Sequence, residues 1–128
     1  MMIGDSTVQQ TASVLMNVVR LGGGTCGERV WLALSDTLVG VSFGRRRDGR
    51  AGFNRGLRWT EYVAKHSPDV VVLAAGAHVY GDANFTGMLH TVAAEAEAMR
   101  RTRPGLKVLW KTQQPGGGYP LYGVVTSD

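Results

Sequence analysis

The sequence predicts a three-layer α/β fold with a mainly parallel sheet, and three observations lead to that expectation. β-Branched apolar runs alternate with segments whose apolar residues recur at helical spacing, in the order strand, helix, strand, helix, strand, helix, strand. The run from Asp69 to Ala75 is apolar at each position from Val70 to Leu73, which is typical of a central parallel strand covered on both faces. Glycine accompanies polar or ionisable side chains at three of the four expected strand ends, where open α/β sheets form their sites.

The first strand and the first helix are expected at the start of the chain. Met1–Ile3 is apolar and reads as the end of a strand whose beginning is absent. Asp5 and Ser6 supply N-cap chemistry, and a helix is expected from about Ser6 to Arg20, ending at the glycines from Gly22 to Gly24. The apolar face of this helix is expected to consist of Val8, Ala12, Leu15, Met16 and Val19.

The middle of the chain predicts strand-forming segments, a loop and a short helix. Val30–Leu34 and Leu38–Phe43 are β-branched and apolar, and they fit either two strands or one strand with its approach. The segment Gly44–Gly56 is rich in glycine and arginine and is expected to be a long loop. A short helix is expected to carry Leu57, Tyr62 and Val63 and to end just before Pro68.

A long amphipathic helix and a last strand complete the pattern. The helix is expected to begin near Phe85 and to close with a group of arginines before Pro104. Leu106–Trp110 is expected to be the next strand. No internal repeat or linker interrupts the chain, so residues 1–128 are expected to form one domain. The arginines that close the helix are Arg100, Arg101 and Arg103.

Composition narrows the class of protein. Hydrophobic residues make up 44% and charged residues 19% of the chain, which is a globular composition. Cys26 is the only cysteine, so neither an internal disulfide nor a metal site with paired cysteines is expected. The apolar stretches are shorter than the roughly 20 residues that span a bilayer, and no signal peptide is recognisable, so localisation stays open.

The net charge of +4 comes largely from arginines between the second and third expected strands. Such a run fits a solvated basic loop, or a surface that attracts an anionic partner such as an acidic polysaccharide. No aromatic residues are interleaved in the pattern of an RNA-binding motif, so a nucleic-acid partner is not expected. The arginines are Arg45, Arg46, Arg47, Arg50, Arg55 and Arg58.

Ser6 is the first residue that suggests chemistry. It follows a strand and opens a helix, so its side chain is expected at the carboxyl edge of the sheet and its backbone N–H at a helix N-terminus. That position suits a nucleophile whose attack on a carbonyl creates an oxyanion. The alternative is a serine that only caps the helix.

The motifs resemble those of SGNH/GDSL hydrolases. Gly4-Asp5-Ser6 resembles the first block of that family, and Gly44 stands where the second block places a glycine whose N–H lines the oxyanion hole. The third block is Gly-x-Asn, and here the corresponding residues are Gly76-Ala77-His78, with histidine in place of asparagine.

The PC-esterase branch, which includes the plant trichome-birefringence-like proteins, is similar in further respects. A Gly-His pair follows the third strand in that branch, as Gly76-Ala77-His78 does here, and Lys111-Thr112-Gln113-Gln114-Pro115 resembles its Arg-Thr-x-x-Pro element. The resemblance implies a flavodoxin-like sheet, incomplete here at one or both ends. It also implies an acyl-enzyme on Ser6, formed from acyl esters of carbohydrate, acetyl above all, by hydrolysis or transfer. Neither a metal nor a cofactor is implied. The resemblance is compatible with the secretory pathway or Golgi, but localisation stays open.

His78 has several readings within this resemblance. It is either a hydrogen-bonded structural residue, an oxyanion donor beside the N–H groups of Ser6 and Gly44, or a group that binds substrate. It is not expected to be the general base, because the family takes that histidine from a late Asp-x-x-His block that these residues lack. His66 and His90 do not fit either, since one ends a helix and the other lies within one. The base is therefore expected outside this chain, which makes it a fragment or a domain that has lost its triad.

Two other functions remain open from the sequence. One is a catalytically inactive glycan-binding or scaffold domain of the same fold. The other is a nucleotide or phosphate binder that uses Gly116–Gly118 or the N-terminus of the Ser6 helix, although no P-loop or dinucleotide fingerprint is present. Oligomeric state is not predicted.

Overall fold

A computed structural model describes residues 1–23, 30–43, 48–52 and 54–112. Strands and helices alternate along the described chain, as the sequence predicts. The strands are β1 Met2–Gly4, β2 Leu32–Leu34, β3 Val70–Ala74 and β4 Lys107–Trp110. The helices are α1 Ser6–Leu21, α2 Trp59–His66 and α3 Asp82–Thr102.

The strands form one parallel sheet in the order β2-β1-β3-β4. Gly4, the last residue of β1, lies level with Leu34 of β2 and with Ala74 of β3. The carboxyl ends of these neighbouring strands therefore meet at one edge of the sheet. The α/β class and the parallel sheet that the sequence predicts are confirmed.

Alternate residues of the strands pack against different helices, because successive side chains of a strand point to opposite faces. Met2 and Ala74 form a buried cluster with Val8 and Ala12 of α1. Ile3 of β1 instead belongs to a larger buried cluster formed with both other helices. That cluster also contains Val71 and Leu73 of β3, Trp59 and Val63 of α2, and Met88 and Val92 of α3.

The buried face of α1 is shorter than the sequence suggests. Val8 and Ala12 are buried and Met16 is partly buried against the sheet, but Leu15 is 42% exposed. Leu21, in the last turn, is 89% exposed. Within the described ranges, no helix is both long and apolar enough to cross a membrane.

The segment Leu38–Phe43 is not a strand, so the expectation of a strand there, with Gly44 directly after it, is wrong. The strand of this region is β2, and it ends at Leu34. Leu38 has φ 62° and Gly40 has φ 73°, so the backbone turns where a strand would be extended. Phe43 alone forms a bridge, with Val79 beyond β3. Leu38 and Val39 are apolar because the turn folds into the core, where Leu38 is fully buried.

The short helix begins later than the apolar pattern suggests. Leu57 lies before α2 and is 44% exposed, whereas Val63 is buried as expected. The backbone N–H of Arg58 donates to Glu61 Oε2 at 2.8 Å, and this bond helps to fix the start of α2. Ser67 ends the helix in the left-handed conformation, just before Pro68.

Candidate active site

The buried carboxylate of Asp5 fixes the start of α1 at the carboxyl edge of the sheet. Its Oδ1 accepts hydrogen bonds from the backbone N–H of Thr7 at 3.0 Å and from Thr7 Oγ1 at 2.6 Å. Its Oδ2 accepts from the backbone N–H of Ala77 at 3.1 Å. Asp5 is therefore the N-cap of α1 and also the link between that helix and the loop after β3.

Ser6 is the first residue of α1 and its side chain is exposed. The interpretation of Ser6 as an N-cap is wrong, because Asp5 performs that function. Ser6 is thus an exposed residue just after β1, and its backbone N–H belongs to the first turn of a 16-residue helix. A helix N-terminus favours negative charge, which is what an oxyanion brings.

At two positions of the predicted motifs, Gly4 and Gly76, the structure shows why glycine is required. A Cβ on Gly4 would lie 1.9 Å from the carbonyl oxygen of Ala74 and 2.6 Å from Val8 Cγ2, so β1 can pass between β3 and α1 only without a side chain here. Gly76 has φ 151°, a conformation that other residues rarely adopt, and its carbonyl accepts from the backbone N–H of Val79 at 3.2 Å. Gly76 thereby turns the chain so that Ala77 reaches Asp5.

A second buried carboxylate, Asp36, lies at the carboxyl end of the neighbouring strand. Asp36 and the residues on both sides of it are fully buried, immediately after β2. Its Oδ2 accepts from the backbone N–H of Arg55 at 2.8 Å and from Arg55 Nε at 3.0 Å. This hydrogen-bonded carboxylate raises the pKa of the Arg55 guanidinium above its usual value, so Arg55 is a fixed cation.

The structure brings His78 to Asp36. His78 Nε2 lies 3.7 Å from Asp36 Oδ1, and the His78 side chain is 20% exposed. Because β1 lies between β2 and β3, a contact between the loops after those two strands passes across the end of β1. Ser6, Asp36 and His78 therefore come from three adjacent strand ends.

This edge of the sheet also contains the topological switch point, where the strand order changes direction. The chain goes from β1 outward to β2 and then returns to β3 on the other side of β1. Open α/β sheets bind their ligands in the crevice at such a switch point, beyond the carboxyl ends of the strands. Ser6 and His78 each follow a strand that ends at this edge.

Several predicted site residues lie outside the described residues. They include Gly44, the expected second donor of an oxyanion hole, and Cys26. The same is true of Arg45–Arg47, of Gln113-Gln114-Pro115 and of Gly116–Gly118. Their expected roles stay predictions.

The prediction that the arginines lie in a solvated loop holds for only some of those that the structure describes. Arg55 bonds to buried Asp36, and Arg58 forms an ion pair with Glu95 of α3. Arg50 fits the solvated interpretation, since its side chain is 82% exposed and its contact with Asp48 is 4.0 Å long. Two of the arginines therefore join elements of the fold.

The remaining histidines lie apart from this edge. The His66 ring stacks at a tilt on Trp31, with centroids 5.7 Å apart, and His90 is exposed on α3. A cavity of about 530 Å³ lies beside β2, lined by Trp31, Tyr62 and His66 among others. None of Ser6, Asp36 and His78 lines it, so we do not assign it to the site. Among the described residues, no group of three histidine, cysteine or acidic side chains is placed to hold a metal.

Sequence reasoning did not identify Asp36 as a site residue. The signal available was the polar run Ser35-Asp36-Thr37 directly after an apolar strand, at the same edge as Ser6. What the run does not reveal is its burial, which depends on partners far along the chain. Ser35 Oγ donates to the carbonyl of Leu57 at 2.7 Å, and Thr37 Oγ1 donates to Asn54 Oδ1 at 3.0 Å.

The fold and site together define an α/β protein whose parallel sheet gathers a serine, an aspartate and a histidine at its carboxyl edge. Comparison of the chain with protein-family models, curated proteins and solved structures finds no match.

Proposed function

We propose that this chain is a serine esterase or O-acyltransferase domain that forms an acyl-enzyme on Ser6. The proposal rests on one observation: Asp5, and not Ser6, caps α1. Asp5 caps α1 and is fully buried, while Ser6 remains exposed at the helix N-terminus beside the switch point of the sheet. A serine that is not needed for capping, at a place that stabilises an anion, suits nucleophilic attack on an ester.

In the proposed reaction, Ser6 Oγ attacks the ester carbonyl and loses its proton to a base. The carbonyl oxygen becomes an oxyanion, which the backbone N–H of Ser6 at the helix N-terminus stabilises. The N–H of Gly44 is the second donor that the motif resemblance implies. Collapse expels the alcohol, which takes up the proton, and leaves the acyl group on Ser6. Water then gives hydrolysis, or a second hydroxyl gives transfer, and either restores Ser6.

The architecture supports a closer assignment to the SGNH/GDSL type. The order β2-β1-β3-β4 matches the beginning of the flavodoxin-like order 2-1-3-4-5. The separate clusters that α1 and the other two helices make with the sheet favour a three-layer sandwich. We propose this fold type, and with it the acyl esters of carbohydrate, acetyl above all, that the motif resemblance implies.

The experiment is labelling with a fluorophosphonate, which phosphonylates an activated serine Oγ and releases fluoride. We expect labelling of the wild-type chain that Ser6→Ala abolishes. Ser13→Ala is the matched control, since Ser13 is an exposed serine of the same helix whose Oγ donates to the carbonyl of Gln9. Absence of labelling in the wild-type chain, with glycan binding retained, would instead support the non-catalytic glycan-binding domain.

A further inference from the structure

We infer that His78, held by Asp36, is the general base of this site, so that this chain carries its own aspartate–histidine pair. The inference rests on the proposed function, because it assigns a partner to the Ser6 nucleophile. It differs from the sequence-based expectation, which gives His78 an oxyanion role and seeks the base outside the chain. In this assignment His78 takes the proton from Ser6, and Asp36 is a positioning residue that acts through His78.

The first argument is the placement of the pair above β1. Gly4 is level with Leu34 and Ala74, so the three strands end in one row. Asp36 follows one outer strand of this row and His78 follows the other, and neighbouring strands lie about 4.8 Å apart. A contact of 3.7 Å between their side chains therefore closes over the end of β1, where Ser6 begins α1.

The second argument is a direct tie between the loops that carry Ser6 and His78. The Asp5 carboxylate accepts from the N–H of Ala77 at 3.1 Å. Asp5 immediately precedes Ser6, and Ala77 immediately precedes His78. The loop that carries the histidine is thus hydrogen-bonded, through a buried side chain, to the residue directly before the nucleophile.

The third argument is that the two carboxylate oxygens of Asp36 contact different partners at short range. Oδ2 accepts both short hydrogen bonds from Arg55, through its backbone N–H and its Nε. Oδ1 faces His78 Nε2 at 3.7 Å and has a longer bond of 3.4 Å from Arg55 Nη2. Arg55 thereby anchors the carboxylate mainly through Oδ2, and Oδ1, with only the longer bond from Nη2, is the oxygen nearest the imidazole.

The chemistry of the pair follows from its geometry. A carboxylate beside one ring nitrogen favours the tautomer with a proton on that nitrogen. In the proposed reaction, the other ring nitrogen accepts the Ser6 proton. The separation of 3.7 Å is longer than a hydrogen bond, and catalytic contacts commonly tighten in the reactive complex. When His78 has taken the proton, Asp36 stabilises the imidazolium, and His78 then gives that proton to the departing alcohol.

The test is the rate of fluorophosphonate labelling of Ser6 in the full chain. We expect His78→Ala to slow labelling by about 10²-fold or more, since general-base help supplies roughly 10²–10⁴-fold. Free imidazole added to that variant should restore part of the rate, which loss of a merely structural histidine would not allow. His90→Ala is the matched control, because His90 is an exposed histidine outside the site, and it should label at the wild-type rate.

The role of Asp36 is tested by asking whether its effect on the labelling rate requires His78. If Asp36 acts through His78, the double variant Asp36→Asn/His78→Ala should label no more slowly than His78→Ala alone, whereas independent roles would multiply the two losses. Circular dichroism and thermal melting identify a variant that fails to fold, and His78→Gln then replaces His78→Ala in the same test. Wild-type labelling at Ser6 that survives in the folded His78 variants would overturn this inference and leave the esterase proposal standing. No labelling of the wild type would overturn both.

Discussion

Asp5 and Ala77 are joined by a hydrogen bond of 3.1 Å that connects the beginning of α1 to the loop after β3. The bond is long-range in sequence and its acceptor is fully buried. It makes one carboxylate responsible both for capping a helix and for setting the distance between two strand ends. The same residue therefore controls local stability and the geometry of the candidate site.

Asp5→Asn should lower the free energy of unfolding by about 2 kcal/mol. Asparagine has a single acceptor oxygen, so either Thr7 or Ala77 would face an amide NH₂ group instead of an oxygen. Urea denaturation measures the loss. Ser6→Ala is the control, because an exposed first-turn serine that does not cap the helix should change stability by no more than about 0.5 kcal/mol. Equal losses in the two variants would contradict the assignment of the cap to Asp5.

Gly4→Ala should destabilise the chain by about 3 kcal/mol or prevent folding, since the added Cβ meets backbone that cannot move aside. The nearest atom is the carbonyl oxygen of Ala74, at 1.9 Å. Gly87→Ala is the matched substitution in α3, where a Cβ meets nothing within 4 Å. That variant should gain about 0.5–1 kcal/mol from helix propensity. Thermal melting of both proteins checks the pair, and a tolerated Gly4→Ala would show that β1 and β3 are not so closely packed.

The sequence predicts the alternating elements well because their signals are local. Apolar periodicity over α3 and the unbroken apolar run of β3 require only the residues within each segment. The stretch between β2 and α2 is different, since its conformation depends on contacts between distant residues. Leu38 and Val39 look like part of a strand by composition, but a turn with φ 62° at Leu38 buries them.

The same contrast between local signals and long-range contacts applies to the residues of the candidate site. Ser6 and His78 are recognisable because each follows a strand end and stands beside a glycine motif. Asp36 follows a strand too, yet a polar triplet after a short apolar run is typical of an exposed turn. Its hydrogen-bond partner is Arg55, which is distant in sequence and which the sequence suggests belongs to a solvated basic loop. Only the folded chain shows that a cation and a buried carboxylate belong together.

Glu95→Ala should destabilise the contact between α2 and α3 by about 1–3 kcal/mol. Glu95 Oε2 accepts from the indole N–H of Trp59 at 2.7 Å, and Trp59 is fully buried. Removing the carboxylate leaves a buried donor without its acceptor and removes the ion pair with Arg58. Unfolding followed by circular dichroism measures the loss. Glu97→Ala, which removes only an exposed pair with Arg100, should cost at most about 0.5 kcal/mol. Similar costs for both would contradict the role given to Glu95.

Arg55→Gln should lower stability by an amount that does not change between neutral pH and about pH 10. The hydrogen bond that the guanidinium donates to Asp36 raises the pKa of Arg55 above its usual value. A cation whose pKa is raised on folding stabilises the fold at every pH below its unfolded value, and this contribution is lost only as the pH rises through the folded value. Both values lie above the window, so the difference in denaturation midpoint between wild type and variant should be constant there.

Arg50→Gln provides the comparison for Arg55, because its exposed contact with Asp48 spans 4.0 Å. That variant should leave the midpoint unchanged at low and at high salt, whereas the effect of Arg55→Gln should persist in high salt, since the carboxylate it loses is fully buried. An Arg55 effect that disappears in salt, or that shrinks as the pH rises towards about 10, would mean that Arg55 does not anchor Asp36. In that case the guanidinium would not hold the carboxylate, and the backbone N–H of Arg55, which donates to Asp36 Oδ2 at 2.8 Å, would be its remaining anchor.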